Sequence, residues 1–178
     1  MRNRKSIVLI TIVALTFIIG ISAYFMNGRI MERNTDWYKS SRLVNLSLSK
    51  NIKVLQSSDT HGALGDGEYF VVFQFTENQY NELLANLLLN KRWIDLPMQR
   101  ELNKFIFGER KGSYKYEGYA EKKIPEIIRN GKYFFLDQFV KKNPQYNGIS
   151  IFNRPSNNFI FGLLDHENRK LYILKYDS

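Results

Sequence analysis

The sequence predicts an α+β protein: an N-terminal transmembrane helix, then a small antiparallel or mixed sheet of five to six strands with two helices on one face. Three observations predict it. An uncharged, mostly apolar run fills residues 7–26 behind a basic tip. From residue 51 onward, short aromatic and β-branched runs separated by turn residues read as strands. Two amphipathic stretches lie together between the second and third of these runs, and that clustering argues against repeated βαβ units.

The apolar run is long enough to matter. A helix rising ~1.5 Å per residue across residues 7–26 reaches through a hydrocarbon core of ~30 Å. Thr11, Thr16 and Ser22 bond back to the helix backbone, and Gly20 is tolerated in a span. A signal peptide has a shorter apolar region of ~7–15 residues, and the best cleavage pattern, Gly20-Ile21-Ser22, lies inside the run. The expected organisation is a basic tail at 1–6, a retained transmembrane helix at 7–26, a juxtamembrane connector at 27–50, and one α+β extracytoplasmic domain at 51–178. Arg2, Arg4 and Lys5 abut the span on one side, while Arg29, Arg33, Lys39 and Arg42 on the other are diluted by Glu32 and Asp36. The expectation is a cytoplasmic N-terminus with the domain outside. Secretion after cleavage and a cytoplasm-facing domain are the alternatives.

Charge and cysteine content narrow the function classes. The net charge is +9, but residues 1–50 hold eight Lys/Arg against two Asp/Glu and residues 51–178 hold eighteen against fifteen. Most of the excess therefore sits near the apolar run, where the cytoplasmic membrane, an envelope protein or an anionic envelope polymer would meet it. The later doublets are scattered at element ends, so no nucleic-acid partner is expected. The chain has no cysteine. That excludes disulfides, thiolate catalysis, a lipoprotein anchor and cysteine-based metal centres.

Trp37, Tyr38, Leu43, Val44, Leu46 and Leu48 keep the connector from reading as disordered. Within the domain, residues 52–57 form the first expected strand and 69–75 a stronger one around Phe73 and Phe75. Thr76 and Gln79 make a capping box, and Tyr80, Leu83, Leu84, Leu87 and Leu88 form the apolar stripe of the helix that follows. A second helix is expected over 97–107, with Pro97 in its first turn and Gly108 at its end. Further strands are expected at 114–119, 132–137, 159–164 and 170–176, the last two as a hairpin.

The densest chemistry lies between the first two strands. Asp59, His61, Asp66 and Glu68 place one imidazole and three carboxylates on a glycine-rich loop. Such a set could hold a divalent cation, or His61 could act as a general base oriented by a carboxylate. It matches neither HExxH nor the calcium-loop spacing. The competing reading is structural, with the aspartates capping turns and His61 tying the loop down. No cofactor is predicted, and no catalytic residue is assigned. His166 reads as a solvent-facing hairpin residue. Asp137 and Arg154 read as a cap and an ion pair, or as groups facing each other across a cleft.

The segment 59–70, DTHGALGDGEYF, resembles an uncharacterised family of small secreted or membrane-attached proteins of Gram-positive bacteria with a D-[ST]-H-G-G-F-x-G-D-G-E-like segment. Ala63-Leu64 stands where that family has Gly-Phe. The resemblance extends through Trp93-Ile94-Asp95-Leu96-Pro97, Tyr133-Phe134-Phe135-Leu136-Asp137 and Asn153-Arg154-Pro155. It implies a shared fold unit and an outward location, with no chemistry to carry over. Together these readings lead to the expectation of a membrane-tethered extracytoplasmic binding or interaction domain. The alternative is a small metal-dependent or histidine-assisted hydrolytic enzyme of the cell envelope.

Overall fold

The computed structural model describes residues 15–22, 32–33, 35–63, 65–125 and 128–178. From residue 36 the order is helix α1 (Asp36–Val44), strands β1 (Lys53–Asp59) and β2 (Gly67–Gln74), helix α2 (Glu77–Leu88), strand β3 (Ile94–Asp95) and helix α3 (Arg100–Phe107). Strands β4 (Glu109–Lys111), β5 (Tyr114–Tyr116) and β6 (Gly131–Asp137), helix α4 (Gln138–Lys142), and strands β7 (Phe159–Asp165) and β8 (Lys170–Asp177) follow. Six strands form one sheet in the order β1-β2-β8-β7-β6-β3, while β4 and β5 make a separate ribbon. Every neighbouring pair is antiparallel.

Burial on both faces of the sheet corrects the expectation that two helices share one face. Strand β2 is apolar at consecutive positions, and such a run needs cover on each side. Tyr69, Val71 and Phe73 point into one core with Val44, Tyr80, Leu83, Leu87 and Trp93. Phe70 and Val72 point into a second core with Phe105, Ile106, Phe107, Ala120 and Ile124. Helices α1 and α2 therefore cover one face and α3 the other.

Local signals hold well inside this frame. Thr76 Oγ1 accepts from the Gln79 amide and the Gln79 side chain accepts from the Thr76 amide, completing the box that starts α2. Trp93 lies flat on the first face because Gly162 has no side chain there. A Cβ at Gly162 would come within 2.8 Å of the indole. Helix α3 starts at Arg100, after a cis Leu96–Pro97 peptide, so Pro97 precedes the helix and does not occupy its first turn.

The N-terminal expectations need correction. Of the span expected over 7–26, residues 15–22 are helical and the remainder lies outside the described residues. Among the described residues no helix is long and apolar enough to cross a membrane. The transmembrane, signal-anchor and single-pass description is set aside on that finding. The connector expected over 27–50, described from 32 apart from residue 34, also contributes to the fold: Val44, Leu46 and Leu48 are buried in the first core.

Candidate ligand-binding site

The glycine-rich segment is the turn of the β1–β2 hairpin. Its backbone closes through Thr60 N–H to the Glu68 carbonyl at 2.8 Å and Gly62 N–H to the Asp66 carbonyl at 3.1 Å. Gly67 is required at its end: φ is +148°, and a Cβ would stand 2.6 Å from His61 Cα. This turn lays His61 across the end of β8, because Gly67 is in register with Asp177.

His61 is held from both sides. Nδ1 lies 2.6 Å from Asp59 Oδ1 and Nε2 lies 3.0 Å from Asp177 Oδ2. A carboxylate only accepts, so both contacts are hydrogen bonds together when each ring nitrogen carries a hydrogen. Lys39 of α1 approaches Asp59 at 3.5 Å, and Lys175 pairs with Asp177. Burial pushes the Asp59 carboxyl upward, but the hydrogen bonds from His61 and the nearby positive charges leave it below its ordinary value. Asp177 follows the same pattern: burial raises it, and the bonds from Lys175 and His61 bring it below. Beside this chain of charges, the Tyr69 hydroxyl donates to Asp36 Oδ1 at 2.9 Å, and burial with that carboxylate pushes the phenol well above its usual range.

Two of the four loop residues named by the sequence therefore converge and two do not. Asp66 is exposed. Glu68 points to the opposite face and pairs with Lys123 at 2.5 Å. Among the described residues no group of His, Asp and Glu could hold a metal ion. The geometry gives the reason: the two carboxylates sit on different ring nitrogens of His61, on opposite sides of the ring, and do not converge on one point. Asp177 escaped sequence reading because it is 116 residues from His61 and only the β2–β8 pairing brings them together.

An open concavity lies elsewhere, on the second face. Strand β3 pairs only with Lys132 and Tyr133 of β6, so the later part of β6 has β7 on one side and no strand on the other. A cleft of about 410 Å³ occupies this end. Its walls are Gln99, Glu101 and Leu102 from the start of α3, Phe135 and Asp137 from β6, and Gly148–Ile151 with Arg154 from the loop after α4. Its volume is in the range of small-molecule sites, and its lining is mixed, with Leu102, Phe135, Ile149 and Ile151 beside Gln99, Glu101, Asp137, Ser150 and Arg154.

The polar groups beneath the cleft lock its shape. The Arg154 side chain is only 10% exposed and pairs through Nη1 with Asp137 Oδ2. Its Nε and Nη2 donate to the Ile149 carbonyl at 3.1 and 2.7 Å, which pins the loop. Asp137 Oδ1 accepts from the Val140 amide at 2.9 Å and so caps α4. Glu101 accepts from the Ser150 hydroxyl, joining α3 to the loop across the cleft. Asp137 and Arg154 were legible as a pair. Leu102, Phe135, Ile149 and Ile151 were not, since each reads in sequence as an ordinary core or loop residue.

His166 also departs from expectation. It is not a free hairpin residue: its Nδ1 and the Tyr80 hydroxyl are hydrogen-bonded, and the rings meet edge to face at 6.0 Å. Burial and then the Lys132 charge hold the imidazole below its ordinary value. No protein-family model, curated protein or solved structure matches this chain, so the site is read from its own geometry.

Proposed function

We infer that this chain is a non-enzymatic binding domain whose ligand sits in the cleft between α3, the end of β6 and the loop 148–154. One observation carries the reading: a cleft of about 410 Å³ with a mixed apolar and polar lining, whose shape is fixed by the nine-tenths-buried Arg154 paired with Asp137. A preformed floor means little ordering is needed when a ligand enters, which favours binding. The histidine loop supports the same conclusion from the other side. Both ring nitrogens of His61 are engaged by Asp59 and Asp177, a tie between the loop and the last strand rather than a group directed into the cleft.

The test is saturation-transfer NMR on the full chain with 2-phenylethanol, a neutral probe small enough for the cleft. Transfer is expected in the wild type and in H61A. Ile149→Trp, placed at a 39% exposed position of the rim, fills the cleft and is expected to abolish it. No transfer in the wild type, or equal transfer in the Trp variant, would overturn the reading.

A further inference from the structure

The charges around the cleft are unequally satisfied. Helix α3 carries two cations near Glu101, and Lys104 stands at the i+3 spacing that normally favours a pair. Both are drawn away: Lys104 lies 2.9 Å and Arg100 3.3 Å from Glu109 of β4. Arg154 is committed to Asp137 and to the Ile149 carbonyl. Among the described residues Glu101 is left with the Ser150 hydroxyl as its one hydrogen-bond partner and no cation. Its charge also offsets the positive end of α3, which would otherwise favour an anion in the cleft. The cleft therefore presents one uncompensated carboxylate at the edge of an apolar wall formed by Leu102, Phe135 and Ile151.

We propose that the cleft takes a small organic cation, an ammonium group meeting Glu101 with a short apolar body against Leu102, Phe135 and Ile151. This rests on the cleft being the binding site and adds the class of ligand. The carboxylate supplies the charge-assisted bond and the wall supplies the transfer from water. A neutral ligand of the same body keeps only the second contribution, and an anionic one meets repulsion.

Three probes with one body separate these contributions: phenethylamine, 2-phenylethanol and phenylacetate, each titrated into the full chain and followed by residue-resolved NMR shifts. Phenethylamine is expected to bind about tenfold more tightly than 2-phenylethanol, a ratio worth ~1.4 kcal/mol. Phenylacetate is expected to bind most weakly. Glu101→Gln keeps an oxygen to accept from Ser150 and removes only the charge, so it should bring amine and alcohol to equal affinity. In the wild type the amine preference should shrink as salt is raised. Equal binding of amine and alcohol, tighter binding of phenylacetate, or a preference that survives in E101Q would overturn the proposal and leave the cleft intact as a site. Failure of all three probes to shift cleft residues would overturn the cleft reading, and the proposal with it.

Discussion

The two polar regions of this protein lie on opposite faces of one sheet and are built to opposite ends. At the β1–β2 turn, Lys39, Asp59, His61, Asp177 and Lys175 form a linked series in which every polar group meets a partner. At the α3–β6 cleft, the buried pair Arg154–Asp137 fixes the shape, while Glu101 lines the cleft with the Ser150 hydroxyl and no cation as its partner among the described residues. The first arrangement fastens a loop to the last strand. The second keeps a concavity open with its shape fixed. A dense cluster of titratable residues in sequence can thus be mutually satisfied in the fold, and a binding surface can come from residues that no motif marks.

The comparison can be broken where it is strongest. Removing Arg154 strands a partly buried Asp137 and frees the loop, so Arg154→Ala is expected to cost about 3 kcal/mol in urea unfolding. A cost below about 1 kcal/mol would mean that the floor is not locked. Gly67→Ala is expected to lose ~1–3 kcal/mol, because the backbone conformation and the 2.6 Å approach to His61 both resist a side chain. His61→Ala removes two charge-assisted bonds at a partly exposed site and is expected to cost about 1–2 kcal/mol at neutral pH.

The acid limb sharpens the same contrast. Asp59 and Asp177 are held below their ordinary values in the fold, so the unfolded chain takes up protons first as pH falls. Their contribution is present above about pH 4 and is lost as pH falls through the folded values. Thermal unfolding across that window should be less pH-dependent in H61A than in the wild type. The smallest effect is expected at His166, which the fold keeps below its ordinary value. Its contribution is present above about pH 6.5 and lost as pH falls, and Tyr80→Phe, which removes the hydroxyl partner, should cost about 1 kcal/mol.

What could be read from sequence was local. Thr76 with Gln79 marked the start of α2, and the runs in β2, β6, β7 and β8 marked strands, because each signal lies within a few residues. The register that pairs Gly67 with Asp177 is set by contacts far apart in the chain, so the closing partner of His61 was invisible. Two-face burial was missed: both helices were expected on one face, and nothing in α2 or α3 alone says which face each takes. Helix α1 hid because Ser40, fully buried, contacts the Tyr69 hydroxyl at 3.2 Å and adds nothing to an apolar stripe. The cleft was least legible, since a cavity is a property of three elements that stop short of one another.

The most direct test of the account is a residue-resolved shift map of the full chain with saturating phenethylamine. The account predicts shifts clustered at Glu101, Leu102, Phe135, Ile149, Ser150 and Ile151, with Asp59, His61 and Asp177 unmoved. Shifts clustered at Asp59, His61 and Asp177, with the cleft silent, would contradict it.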